Sequence, residues 1–253
     1  MAKKKRGSEK SQRKLLMVGP DAPFQYVEAY KSLRTNLEFL SASTGCKVIL
    51  ITSSVQEEGK SNVAINLAST MASGGKRVVL VDSDLRKGSL SRYLHLSHNR
   101  PGISNIVAGQ ATLNDALVRF KNVQFTLLPV GPLPPNPSDM LSLPAVEQMF
   151  DTLREYYDYI IVDTPPVSVV TDAAVMCRMV DGVVLVVRSG VTTIQGAQLS
   201  KKKLEAVGAR ILGVVLNDYD ARRIGRRDGY SYAYSYNYYA GDDQSEDKKA
   251  TLS

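Results

Sequence analysis

Six runs of consecutive apolar, largely β-branched residues constrain this chain more than any other feature. They are KVILIT (47–52), RVVLVD (77–82), QFTLLPV (124–130), YIIVD (159–163), GVVLVV (182–187) and RILGVVLN (210–217). Most are continuous rather than alternating, the pattern of strands covered on both faces. The segments between them predict helices at 60–73, 144–157, 171–179 and 193–207, with Gly74-Gly75 and Gly208 as stops and Thr171 and Thr192 as N-caps. Alternation of this kind requires right-handed crossovers and a mostly parallel sheet flanked by helices, an α/β fold. Ligands bind such sheets beyond the carboxyl ends of the strands, so the chemistry is expected there. A further helix is expected over 25–41. Its Tyr26, Tyr30, Leu33, Leu37 and Leu40 form one apolar stripe, and Glu28, Lys31 and Arg34 fall mainly on the other side.

The first of these strands runs into SSVQEEGKSN and then into an amphipathic helix. Gly59-Lys60-Ser61 at a strand-to-helix turn is the end of a P-loop, where backbone amides and the helix dipole favour phosphate. Lys60 is expected at the β- and γ-phosphates of ATP, and the Ser61 hydroxyl on Mg²⁺. Glu57, Glu58, Gly59 and Asn62 complete the expected cofactor-binding segment. The loop is unusual in having Ser54 where Gly or Ala is more common and in placing two carboxylates, Glu57 and Glu58, near a polyphosphate. Those two side chains can point to solvent while their amides face inward.

Two further strands end in carboxylates. VVLVDSDLR delivers Asp82 and Asp84 to the ligand edge, and residues two apart on extended chain project the same way. One carboxylate can hold the metal shell and the other accept a proton from an attacking hydroxyl, with Arg86 stabilising phosphoryl charge. The same DxD also suits an ordinary turn. YIIVDTPP sets Asp163 in the Walker-B position, where it supports Mg²⁺. The expected metal set is therefore Ser61, Asp84 and Asp163. The last strand ends at Asn217, which suits either an adenine edge or a turn.

Composition limits the partners. An apolar fraction of 43% over 253 residues is enough for a substantial core. The net charge of +7 is concentrated at one end, because residues 1–14 hold seven Lys/Arg against one Glu. That segment reads as a solvated tail or as an attraction to anionic lipid, not as a basic folded face. No apolar stretch is long enough to span a membrane and no signal peptide is visible, so a soluble, cytoplasmic chain is expected. Cys46 and Cys177 lie far apart without metal-site spacing and read as reduced and buried. Residues 219–253 change character, with seven of the 13 tyrosines followed by the acidic GDDQSED. They lack the aliphatics for a core. The expected organisation is a basic tail (1–19), one nucleotide-binding domain (20–218) and a tyrosine-rich flexible tail (219–253).

EAYKSLRTNLEF (28–39), SSVQEEGKS, VVLVDSDLR, GPLPPNPSDML (131–141), YIIVDTPP and the tyrosine cluster occur together in one order. In this the chain resembles the bacterial protein-tyrosine kinases, and within them the stand-alone cytoplasmic type of capsule and exopolysaccharide production. The resemblance covers about residues 20–240. It implies a P-loop NTPase fold of the deviant-Walker ATPase superfamily, ATP and Mg²⁺ as cofactors, and Asp82 as the base toward a tyrosine hydroxyl. Taken with the reading of the residues, it makes Lys60, Asp82, Asp84 and Arg86 the expected catalytic set. It further implies autophosphorylation in trans at Tyr230, Tyr232, Tyr234, Tyr236, Tyr238 and Tyr239. Glu28, Lys31 and Arg34 match the family's ring-forming ExxRxxR motif, with Lys for the first Arg, which keeps the charge and loses the bidentate fork. The implied partners are an activating membrane adaptor that tethers the kinase to the inner face of the membrane, further copies of the chain, a phosphotyrosine phosphatase, and protein substrates of polysaccharide synthesis.

Two other readings compete. A non-kinase ATPase of the cell-division or plasmid-partition type shares the nucleotide motifs, but carries an additional lysine early in the P-loop where this chain has Val55. A single-stranded nucleic-acid binder could use the basic N-terminus and RRIGRR (222–227) beside stacking tyrosines. The core offers no basic face and the end of the tail is acidic, so no nucleic acid is expected.

Overall fold

The computed structural model describes residues 16–97 and 100–219. The basic N-terminal run, RRIGRR, the acidic end and the six expected tyrosine sites from Tyr230 to Tyr239 lie outside the described residues.

The chain begins with α1 (Phe24–Thr44), β1 (Val48–Ser53), α2 (Lys60–Ser73) and β2 (Val78–Asp82). Four short elements follow: α3 (Ser89–Tyr93), α4 (Ile103–Val107), α5 (Leu113–Ala116) and the two-residue β3 (Val118–Arg119). Then come β4 (Thr126–Leu128), α6 (Pro137–Leu141), α7 (Pro144–Tyr156) and β5 (Tyr159–Asp163). The chain closes with α8 (Asp172–Met176) and its 3₁₀ extension, β6 (Gly182–Arg188), α9 (Ile194–Ala206) and β7 (Ile211–Asn217). The sheet order is β3-β4-β2-β5-β1-β6-β7, parallel except where β3 meets β4. The expected α/β fold is therefore present, and all six apolar runs are strands.

Pleating explains why the runs are continuous. Val48 and Leu50 of β1 face one core layer with Val79, Ile160, Val162 and Leu185, beneath α7 and α8. Ile49 and Ile51 face the other with Leu80, Ile161, Val184 and Val186, beneath α2. A strand covered twice cannot alternate. Each fully buried aliphatic here is worth about 2 kcal/mol of transfer free energy, so truncating one is costly.

Several boundaries differ from expectation for local reasons. The helix expected at 25–41 runs to Thr44, where Gly45 at φ 67° ends it and its N–H bonds Ser41 O. Thr193, not Thr192, caps α9 by accepting the Gly196 N–H. Thr171 makes no side-chain cap. Leu16 and Val18, assigned to the tail, bond instead to the side chain of Asn66: the Val18 N–H donates to Oδ1 at 2.6 Å, and Nδ2 donates to Leu16 O at 2.9 Å.

The carboxyl ends of β1, β2, β5, β6 and β7 share one edge. β5 and β6 flank β1 directly, and Asp82 and Asp163 are register partners. Whatever follows β1 is thus bracketed by residues from four other strands.

Candidate active site

The loop after β1 turns tightly into α2. Gly59 sits at φ 90°, and a Cβ there would meet Asn217 Nδ2 at 2.1 Å, so both conformation and space demand glycine. Lys60 and Ser61 then open the helix. Lys60 Nζ lies 3.2 and 3.4 Å from the two Asp163 oxygens and 3.4 Å from Asp84 Oδ2, and the Ser61 hydroxyl donates to Asp163 Oδ2 at 2.6 Å. Four expected site residues thus meet, although 103 residues separate Lys60 from Asp163.

The neighbouring loops are fixed by buried bonds. Thr164 Oγ1 donates to Ile51 O at 3.0 Å and Thr52 Oγ1 to Pro165 O at 2.9 Å, which stitches the end of β5 to β1. The Ser83 N–H donates to Asp163 O at 2.8 Å. Asp82 is fully buried, with one oxygen accepting the Leu90 N–H at 3.0 Å and the other the Asp84 N–H at 3.3 Å. The side chains of Asp82 and Asp84 thus have different partners: Asp82 holds the turn, and Asp84 reaches the lysine.

Burial is the first cause of the electrostatics. It lifts Asp82 well above the ordinary carboxylate range, reinforced by the negative Asp163. Asp163 is also raised by burial, against the pull of Lys60 and the Ser61 hydroxyl. For Lys60, burial opposes the charge, yet Asp163, Asp84 and Asp82 together win and its pKa is raised. The cluster is one cation among three carboxylates and has capacity for more positive charge.

That capacity fits magnesium. Asp84 Oδ1 is buried with no hydrogen-bond partner, beside Lys60 and Asp163. Ser61, Asp84 and Asp163 offer only oxygen, the donor set that Mg²⁺ prefers. Among the described residues, no group of three or more His, Cys, Asp or Glu is placed to hold a metal alone. Phosphate oxygens would have to complete the shell, as is usual for Mg²⁺ with a nucleotide. Ser54 Oγ and Ser83 Oγ are likewise buried and unpartnered on this edge.

Other expected residues serve differently. Arg86 donates to Asp172 through Nε at 2.9 Å and through Nη2 at 2.8 Å, and Ser138 bonds the same carboxylate at 2.6 Å. Its Nε and Nη2 thus anchor α6 and α8. Asn62 Oδ1 accepts from Tyr26 at 2.9 Å, Tyr30 at 3.3 Å and Asn66 at 3.0 Å, so it ties α1 to α2 rather than facing a nucleotide. Asn217 donates to Glu58 O at 2.9 Å and so ties the end of β7 to the phosphate loop; an amide of two N–H groups and one oxygen has further capacity beyond that bond. Glu58 does not point to solvent: it is buried, and its carboxylate accepts from the Val55 N–H at 2.8 Å and from the Thr192 hydroxyl. Arg34 is not on an outer charged face. Its Nη1 reaches Thr70 O in the last turn of α2 at 3.2 Å, while Glu28 and Lys31 pair with each other at 2.7 Å on the exposed side.

Sequence reasoning overlooked Arg188, Thr192 and Asp172. Arg188 carried a usable signal: it is the first charge after GVVLVV, and so lies on the ligand edge. Thr192 was read only as a cap, and Asp172 only as part of a helix.

Among the described residues no helix is long and apolar enough to cross a membrane. Residues 46–212 match the family model described as AAA domain. The chain is 33% identical over 230 residues to tyrosine-protein kinase YwqD of Bacillus subtilis, covering 91% of this chain and 94% of that protein. It is 37% identical over 210 residues to tyrosine-protein kinase etk of Escherichia coli, covering 83% of this chain but only 28% of that longer protein. The solved chimerical protein CapA2B2 superposes with a TM-score of 0.74 at 35% identity, covering 80% of this chain and 88% of that one.

Proposed function

The chain belongs to the bacterial tyrosine-protein kinases, and from that premise we propose that it transfers the γ-phosphoryl group of ATP to tyrosine hydroxyls. The observation that carries this reading is the convergence of Lys60, Ser61, Asp84 and Asp163 at one strand edge, with Asp84 Oδ1 left unpartnered. Each residue has a job that follows from its placement. The amides after Gly59 and the start of α2 cradle phosphate oxygens. Lys60 supplies the positive charge that phosphate otherwise lacks in a site of three carboxylates. Ser61, Asp84 and Asp163 would hold Mg²⁺, which when bound offsets negative charge on the phosphates. Asp82 accepts the phenolic proton, a step that needs its ionised form, which the positive charge of Lys60 and of a bound Mg²⁺ would favour. The tyrosine oxygen forms its bond to the γ-phosphorus as the bond to the β-bridging oxygen breaks, and ADP leaves. Cradle, cation and base all belong to this chain.

The tyrosines at 230–239 follow β7 in sequence, the end of β7 touches the phosphate loop, and they supply acceptors without a second kind of protein. We propose trans transfer among copies assembled through α1, with an adaptor at the membrane and polysaccharide synthesis as the setting. The names of the relatives support the kinase reading, and the Glu28–Lys31 pair supplies an exposed polar surface on α1 for such contacts.

Incubation with Mg²⁺ and ATP, followed by phosphotyrosine detection and mass mapping, tests the reading. Wild type, alone or with a candidate adaptor peptide, should gain phosphotyrosine within 230–239, and Lys60→Met should not. Phosphotyrosine on Lys60→Met purified from a host lacking other tyrosine kinases would refute self-modification. ATP hydrolysis without phosphotyrosine under every condition would favour the non-kinase ATPase.

A further inference from the structure

The phosphate loop is held from outside by the ends of two strands that contribute nothing to the Lys60–Asp84–Asp163 cluster. Asn217, the last residue of β7, donates its amide to Glu58 O at 2.9 Å and packs against Gly59 so closely that no Cβ fits. Arg188, the last residue of β6, donates through Nη1 to Glu57 O at 3.3 Å. The same guanidinium grips Asp218 Oδ2 through Nε at 2.9 Å and Nη2 at 2.7 Å. Thr192 accepts the Arg188 N–H at 2.8 Å and donates a hydrogen bond through its hydroxyl to the Glu58 carboxylate, whose other oxygen accepts the Val55 N–H. Both ends of this chain of contacts are backbone in the left-handed region at non-glycine residues, Glu57 at φ 65° and Asp218 at φ 56°. Such conformations persist only where the surroundings over-determine them.

We propose that Glu58, Arg188, Thr192 and Asn217 form a clasp that positions the phosphate loop and couples it to residues 217–219, which the tyrosine segment follows in sequence. They are positioning residues, since none of them reaches the Lys60 cluster. The consequence is reciprocal. If nucleotide on the loop favours the clasped arrangement, the clasped arrangement favours nucleotide by the same factor. Occupancy of the phosphate site is then felt at the root of the segment that carries the acceptor tyrosines, and a force on that segment is felt at the phosphates. Glu58 explains the otherwise awkward carboxylate in a phosphate loop: it is an internal strut, turned away from the polyphosphate and satisfied by donors of its own chain.

The inference rests on the nucleotide-binding part of the proposed function and not on the identity of the acceptor. It is tested on the full chain with a fluorescent ADP analogue plus Mg²⁺, and with hydrogen exchange at 210–219. Wild type should bind, and binding should slow exchange at 217–219 as well as at 59–63. Asn217→Ala should weaken binding by about tenfold or more and uncouple the two sites, with protection persisting at 59–63 and lost at 217–219. Asp218→Asn, an exposed change that keeps a residue tolerant of the left-handed backbone and removes the charge that Arg188 grips, should weaken binding a few-fold and reduce the same protection without lowering the melting temperature of the nucleotide-free protein. A purely structural Asn217 would lower stability and leave the coupling intact. The clasp is overturned if wild type binds the analogue without protecting 217–219, or if both variants bind it like wild type. Failure of wild type to bind at all would instead overturn the function on which the inference rests.

Discussion

Asp82 poses the sharpest question at the scale of single residues, because a fully buried carboxylate is expensive to ionise and this one has another, Asp163, across the register. Both pKa values are raised. A carboxyl raised on folding holds a proton that the unfolded chain has already released. Stability is therefore greatest at low pH and falls as pH climbs from about 4 through the folded values, at about 1.4 kcal/mol for each unit of displacement. Asp115 and Asp158 have the opposite sign, lowered chiefly by bonds to Thr112 and Arg77. Their contribution is fully present above about pH 4 and does not vary higher up. The midpoint of urea unfolding of the nucleotide-free protein should thus decline between pH 5 and pH 8, and Asp82→Asn should flatten the decline. A midpoint that rose across that range would contradict the buried-carboxylate account. The same substitution should reduce phosphotyrosine formation by about 100-fold or more, the scale of a lost general base, while Mg²⁺–ADP affinity changes only a few-fold. Equal loss of both would mean that Asp82 shapes the site instead of accepting the proton.

At the scale of elements, strands are set in register by clamps at the opposite edge from the site. The Asp181 carboxylate, just before β6, accepts the Lys47 and Val48 N–H groups at 2.7 and 2.8 Å where β1 begins. Arg154, in the last turn of α7, grips it through two bonds of 2.9 and 2.8 Å. Asp158, just before β5, accepts the Arg77 N–H at 2.8 Å ahead of β2 and pairs with the same residue's side chain, at greater exposure. Asp181→Ala leaves two amides and a guanidinium short of an acceptor and should cost about 2–3 kcal/mol. Asp158→Ala should cost about 1 kcal/mol or less, because exposed pairs are weak. Chemical denaturation of the two variants checks the order, and the reverse order would show that exposure does not govern these clamps. The contrast also marks what could be read from residue order. Runs such as YIIVD announce strands because burial on two faces leaves no polar position, and Gly-Lys-Ser between a strand and a helix announces a phosphate loop because few other uses suit it. Asp181 announces nothing. Its backbone partners are 133 and 134 residues away, and an aspartate before a strand looks like any other turn residue. The protein partners of Asn62, Arg86 and Asn217 were hidden for the same reason: their neighbours along the chain suggested the ligand, and the Tyr26, Asp172 and Glu58 that they bond lie far away in sequence. The two-residue β3 and the four short helices between β2 and α7 were unforeseen because segments of two to five residues show no period.

For the molecule as a whole, the question is how one domain meets its copies. The family motif on α1 suggests that Glu28, Lys31 and Arg34 act together, but the fold divides them. Arg34 is turned inward, with Nη1 on Thr70 O and so close to Gly74 that a Cβ there would lie 2.8 Å away. It therefore braces the end of α2, the helix that begins at the phosphate site, by favouring the negative pole of its dipole. Glu28 and Lys31 remain on the outer surface, paired with each other across one turn, an arrangement worth a few tenths of a kcal/mol and readily exchanged for a partner subunit's charges. The two halves of the motif should consequently separate on mutation. Glu28→Lys should leave the melting temperature within about 1–2 °C of wild type, as surface changes do, while abolishing any assembly seen by sedimentation velocity with Mg²⁺–ADP. Arg34→Ala should lower the melting temperature by several degrees, in proportion to a loss of about 1–2 kcal/mol, before assembly is considered. Trans phosphorylation adds a check. If tails are modified by neighbouring subunits, phosphotyrosine formation per molecule in wild type should rise with protein concentration, and Glu28→Lys should weaken that rise. A rate per molecule independent of concentration in both proteins would place the acceptor and the catalytic cluster in one chain and remove the need for a ring.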